Sequence, residues 1–183
     1  MKKIDKLEKG DYLVLVGSTS RKMKDDIYEK ICKRIENKQI KIVADATGKL
    51  LVNVLKHKPF LIKPNKEELE EIFEDKIDTN EEIIMYAKKL KEVGAQNVLI
   101  SLGKDGALLV SENDEVFISS VAKGEVVNSV GAGDSMVAGF LAGLLIHDDY
   151  EKAFKMGIAA GSASTFSENL ATKDEILYQF SKL

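Results

Sequence analysis

Asp134 follows Gly131, Ala132 and Gly133 in the run Val126-Val-Asn-Ser-Val-Gly-Ala-Gly-Asp-Ser-Met136. A strand-like apolar segment passes through a turn of small residues into an apolar-striped helix. The first amides of a helix have no intrahelical acceptor, and the helix dipole adds partial positive charge there, so such a junction attracts anions. Glycine lets backbone approach a ligand without a Cβ in the way. A carboxylate planted in an anion-binding turn suits one task above others: taking a proton from a nucleophile that attacks a phosphoryl group. On these four residues alone, a tight turn with an acid in the first helical turn is an equally good reading.

Two further stretches carry chemistry at a definite spacing. Asn65-x-x-Glu68 is close to a capping box, which is the simpler reading. The other is a Glu that orders hydrated Mg²⁺, an ion that keeps several waters and needs only one or two carboxylates. Ser101-Leu102-Gly103-Lys104-Asp105-Gly106 reads as a strand end and turn, or as backbone lying against a nucleotide. Lys63 and Lys104 suit a phosphate, although in so lysine-rich a chain a solvated surface lysine is the simpler assignment. Asp45 ends an apolar run and could cap the segment after it. The turn at Gly131 is not a Walker loop, because no Gly-Lys-Ser/Thr comes after it. Met136 stands where the dinucleotide fingerprint needs glycine, which argues against hydride transfer.

The elements that must position these residues are set by periodicity. Tyr12 to Gly17, Ile40 to Ala44, Phe60 to Lys63 and Asn97 to Ser101 are short aliphatic runs that predict buried strands. Between them, Ile27/Ile31/Ile35 mark a helix over 25–38, a short helix runs through 50–56, and Asn65 and Thr79 open two more, the second closed by Gly94. Ala107–Val110 and Val116–Ser119 predict a strand pair. Further helices run from the Gly131 turn to about Ile146, from Asp149 to about Ser167, and from the capping box Thr172–Glu175. Alternation of strand and helix predicts βαβ units in a single α/β domain over 1–183, with a mostly parallel sheet covered on both faces. Ligands of such sheets sit at the carboxyl ends of the strands, where Asp45, Asn65, Ser101 and Gly131 all fall.

Composition narrows the function classes. The 183 residues are 44% hydrophobic and 31% charged with a net charge of −3, and Arg21 and Arg34 are the only arginines, which argues against a nucleic-acid partner. Cys32 is the single cysteine, sits on the Ile27/Ile31/Ile35 stripe, and is expected to be a core thiol. His57 and His147 are far apart and offer no zinc cluster. No apolar run reaches the roughly 18 residues of a membrane span, and the start carries no secretory pattern, so a cytoplasmic protein with no membrane partner is expected.

Taken together, Val130-Gly-Ala-Gly-Asp-Ser135, Lys63-Pro-Asn-x-x-Glu68 and Ser101-Leu-Gly-Lys-Asp-Gly106 resemble the signatures of the ribokinase-like (PfkB) carbohydrate kinases, in the family's order. Asn128 to Gly139 and Ala159 to Ser164 resemble most the branch that phosphorylates sugar phosphates. The resemblance implies a ribokinase-like three-layer fold and ATP and Mg²⁺ as cofactors. It implies a sugar phosphate as the partner substrate, fructose 1-phosphate first and tagatose 6-phosphate second. It implies Asp134 as catalytic base and Gly131, Ala132 and Gly133 as the anion hole. Asn65, Ser101 to Gly106 and Gly133 would meet the nucleotide, Glu68 would order Mg²⁺ through water, and the 157–161 helix would border the adenine. It covers nearly the whole chain but only the C-terminal three-fifths or so of the family's length. The family's N-terminal sugar-binding motif and small β-sheet lid have no counterpart. Their loss would uncover apolar sheet edge and favour a homodimer or other association, and it makes a nucleotide-binding module without turnover the rival reading. Ser18-Thr-Ser-Arg21 departs from the family's usual loop. Asn128 stands where ribokinases carry an Asp that helps bind a monovalent cation, so potassium activation is not implied.

Overall fold

The computed structural model describes residues 3–17 and 26–183. The Ser18–Arg21 loop therefore lies outside the described residues. The chain divides into two compact units: Met1–Ile100 with Val110–Asp114, and Ser101–Leu109 with Glu115–Leu183.

The first unit is built on four strands: β1 (Tyr12–Val16), β2 (Lys41–Asp45), β3 (Leu61–Ile62) and β4 (Asn97–Ser101). Neighbours are parallel and adjacent strands are consecutive in sequence, with Val16 opposite Asp45, Ala44 opposite Ile62, and Ile62 opposite Val98. Parallel order requires a crossover between each pair. α1 (Ile27–Ile35), α2 (Gly48–Leu55), and the pair α3 (Lys66–Phe73) and α4 (Asn80–Val93) supply them. Val43, Leu61, Ile62, Val98 and Ile100 are fully buried, as continuous apolar runs in parallel strands should be. β1 ends the strand order and differs: Leu15 is buried while Val14 and Val16 are 40% and 43% exposed.

Caps and core contacts match their local signals. Asn65 and Thr79 each close a capping box with Glu68 and Glu82, and Gly94 ends α4. Cys32 is buried, and burial pushes its thiol up to about 12, so it is an inert core group. The buried carboxamide of Asn97 donates to Phe60 O and accepts from Glu112 N, which ties the start of β4 to its surroundings.

The second unit carries β5 (Ala107–Val110, whose last residue groups with the first unit) and β6 (Val116–Ser119), neighbours in the sheet. It also carries α5 (Ala132–His147), α6 (Tyr150–Thr165) and α7 (Lys173–Phe180). α5 and α6 meet through glycine. A Cβ on Gly139 would lie 2.6 Å from both Ala160 Cβ and Met156 O, and one on Gly157 would lie 2.9 Å from Met136 O. Glycine in a helix interior costs about 1 kcal/mol against alanine, so this seam exchanges propensity for close backbone approach. Gly139→Ala should therefore destabilise despite its better propensity. We expect a net loss of about 1–2 kcal/mol, read as a fall in Tm by calorimetry; a rise in Tm would contradict the tight seam.

One sequence expectation is corrected. Val126–Val130 is not a strand: Val126, Val127 and Val130 are 68%, 54% and 78% exposed, and the Val127 and Asn128 amides both donate to Thr165 O instead of to a ladder.

Candidate active site

In the first unit, the ends of β2 and β3 bring Asp45, Lys63 and the Asn65–Glu68 cap together. Lys63 leaves β3 with its N–H on Ala44 O at 3.1 Å. Its side chain is buried at 6% exposure, and Nζ lies 3.2 Å from Asp45 Oδ1. A desolvated ammonium needs a counter-charge, and Asp45 supplies it. This overturns the surface-lysine reading of Lys63. The signal was the placement of an acid and a base directly after two adjacent buried strands.

Asn65 is extended (φ −87°, ψ 175°) and starts α3. Its Oδ1 accepts from Glu68 N at 2.7 Å, and Glu68 Oε2 accepts from Asn65 N at 2.9 Å. The cap is thus real, and it also fixes Glu68 beside charged neighbours. Burial raises the Glu68 carboxyl above the usual glutamate range, partly offset by the Asn65 N–H and the Lys63 charge, while the Asp45 charge raises it further. A raised carboxyl binds its proton more tightly in the folded state. Glu68 therefore makes stability fall as pH rises from the ordinary glutamate range through its raised value. Glu68→Gln keeps an acceptor for the cap and removes the charge. Its Tm at neutral pH should hold or rise, and that pH slope should flatten, whereas Glu68→Ala should lose about 1 kcal/mol of cap. Equal losses of Tm for both variants would show that the charge is immaterial.

In the second unit, Ser101 to Gly106 forms a compact turn. Gly103–Asp105 is one turn of 3-10 helix, closed by Leu102 N–H on Gly106 O at 2.9 Å. Lys104 and Asp105 are exposed. Gly106 has φ 109° and ψ −134°, and a Cβ there would lie 1.9 Å from Ser119 O. Only glycine closes this turn.

Gly131 is in the left-handed region (φ 81°, ψ 0°) and caps α5 at its N-terminus; a Cβ there would meet Leu170 Cδ2 at 2.8 Å. The first helical bond is Ser135 N–H to Gly131 O at 2.9 Å. Ala132 N–H donates to Ser129 O at 3.2 Å, so among the described residues Gly131, Gly133 and Asp134 keep the unengaged amides of the turn. Asp134 is exposed in the first turn of α5. The helix behind it is anchored by Ser135 Oγ, bonded to Ser164 Oγ at 2.9 Å. Sequence gives no signal for Leu170, and names Ser164 only within the Ala159 to Ser164 run, because their roles depend on the return of α6 to the start of α5. The 157–161 stretch expected near an adenine is buried, and Gly157 and Gly161 face Met136, Phe140 and Ala132 of α5.

A left-handed glycine before a long helix, with unengaged amides beside it, is a geometry suited to an anion such as a phosphate. The pfkB family carbohydrate kinase model matches residues 1–176. The chain is 44% identical over 174 residues to a 1-phosphofructokinase of Bacillus subtilis, covering 95% of this chain and 57% of that protein. It is 37% identical over 169 residues to a D-tagatose-1-phosphate kinase of Bacillus licheniformis, covering 92% of this chain and 55% of that one. Phosphofructokinase-2 of Escherichia coli, solved with substrates and products, superposes with a TM-score of 0.92 at 26% identity, covering 100% of this chain and 60% of that chain. The chain belongs to the pfkB family of carbohydrate kinases and has their ribokinase-like α/β fold. It spans somewhat more than half the length of the relatives it matches. Among the described residues, no helix is long and apolar enough to cross a membrane.

Proposed function

We propose that the chain supplies the nucleotide site and the base for ATP-dependent phosphorylation of a ketose phosphate, with fructose 1-phosphate giving fructose 1,6-bisphosphate. The observation that carries this is the Gly131 turn. Unengaged amides at the start of a 16-residue helix stand beside an exposed carboxylate in a member of a carbohydrate-kinase family. Asp134 takes the proton from the sugar hydroxyl as it attacks the γ-phosphorus. The Gly131, Ala132 and Gly133 backbone stabilises the charge that develops on the transferring phosphoryl oxygens, Ala132 after giving up its long bond to Ser129. Within the second unit, Ser101 to Gly106 hold the nucleotide.

Among the described residues no three metal-ligating side chains come together. Glu68 would hold a hydrated Mg²⁺ through water, because that ion needs only one or two carboxylates. The ion, when bound, neutralises charge on the β- and γ-phosphates. The name of the Bacillus licheniformis relative moves the second substrate candidate from tagatose 6-phosphate to tagatose 1-phosphate.

A second reading is a nucleotide-binding module without turnover, since the unengaged amides of the Gly131 turn suit an anion whether or not a sugar is phosphorylated. A coupled ADP-release assay with fructose 1-phosphate, tagatose 1-phosphate or no sugar decides between them. ADP release that depends on sugar supports the kinase. ATP binding without release in any sugar supports the module. Association through the β1 edge, where Val14 and Val16 are exposed, is expected to weaken in Val14→Lys, read by sedimentation velocity.

A further inference from the structure

The segment leading to the Gly131 turn has little apolar anchorage, since Val126, Val127 and Val130 are all more than half exposed. Within 123–130, Asn128 alone is half-buried. Its Oδ1 accepts from Val130 N–H at 3.0 Å, and its Nδ2 donates to Glu168 O at 3.3 Å. Its own N–H, with that of Val127, donates to Thr165 O at 3.1 and 2.9 Å. One carboxamide thus closes a local turn on one side and bridges to the chain leaving α6 on the other.

We propose that Asn128 is a positioning residue for the anion turn: its carboxamide splints Val130 to Glu168 and so sets where the Gly131 to Asp134 amides point. Both functions of the amide are needed. An acceptor alone would close the Val130 turn but leave Glu168 O without its donor. The turn would then keep Leu170, the Ser135–Ser164 bond and the backbone bonds to Thr165 O, but no side-chain tie to Glu168. The kinetic consequence rests on the phosphoryl-transfer reading; the splint itself does not.

Asn128→Asp tests this in the full chain. It is nearly isosteric and keeps the acceptor for Val130, but it sets a carboxylate oxygen against the Glu168 carbonyl. The expected result is faster exchange of the bonded amides that lead into the turn, Val127, Val130 and Ala132, with Tm held, and a kcat lower by about tenfold with KM for MgATP within twofold, since misplacement by about 1 Å costs up to about 10²-fold. Asn128→Ser, whose hydroxyl still accepts from Val130 N–H but is too short to carry a donor to Glu168 O, should behave like Asn128→Asp. In the wild-type chain the Asn128 carboxamide protons should exchange more slowly than those of exposed Asn113. Unchanged turn exchange in both variants, or carboxamide protons of Asn128 as fast as those of Asn113, overturns the splint. Faster turn exchange with unchanged kcat overturns the positioning role. If wild-type turnover is absent, the kinase reading fails and the exchange data still decide the splint. If both variants fail to fold, the wild-type carboxamide comparison decides it.

Discussion

Asp134→Asn should lower sugar-dependent ADP release by about 10²- to 10⁴-fold, the usual contribution of a positioned general base. The side chain is exposed in the first turn of α5, so the fold should barely notice. The stability cost is the lost attraction between a carboxylate and a helix N-terminus, of order 0.5 kcal/mol. KM for MgATP should stay near the wild-type value, because the amides of the turn are untouched. This combination separates a base from a structural acid. Turnover that survives the substitution would remove Asp134 from the chemistry, whatever the family resemblance.

Gly106→Ala should be the most damaging single methyl in the second unit. The backbone at φ 109°, ψ −134° is one that residues with a Cβ rarely adopt, and the added atom would sit 1.9 Å from Ser119 O and 2.7 Å from Ser120 Cα. Neither obstacle is the flexible end of a side chain. Backbone strain of about 1–3 kcal/mol and overpacking of similar size combine to an expected loss of about 2–4 kcal/mol. Denaturant titration reads this as a lower midpoint with the slope preserved. A change of less than about 1 kcal/mol would mean that the turn relaxes away from Ser119 at little cost.

The features legible in the sequence are those whose causes are local. The caps at Asn65, Thr79 and Thr172 each need only two residues three apart, and all three close reciprocally. The four parallel strands announce themselves as aliphatic runs ended by Gly, Asp or Pro. Cys32 is buried because it lies on a helical stripe. The features that were not legible depend on partners distant in sequence. Val126–Val130 has the composition of a strand, but its Val127 and Asn128 amides go to Thr165 O at the far end of α6. Lys63 looks like any other lysine until the parallel register sets the end of β3 beside Asp45. The glycines of α5 and α6 break helix propensity for a reason visible only when the two helices meet. At the Gly131 turn, residue types and spacing suggested an anion-binding junction with Asp134 beside it, while Glu68 read first as a cap and became a favoured site candidate only through the family resemblance. They did not show that Ala132 N–H is already engaged or that Leu170 lies against Gly131.

The Asp45–Lys63 pair also governs how the protein should respond to ionic strength. Its side chains are 16% and 7% exposed, whereas Arg34–Asp5, Lys30–Asp26 and Lys33–Glu29 on or against α1 each have at least one partner about half exposed. Mobile ions at 0.15 M screen exposed charges over about 8 Å but reach a desolvated pair poorly. Added sodium chloride should therefore loosen the surface of α1 well before it disturbs the rim of β2 and β3. The pair is matched in charge, so its contribution to the net charge at the ends of β2 and β3 is zero.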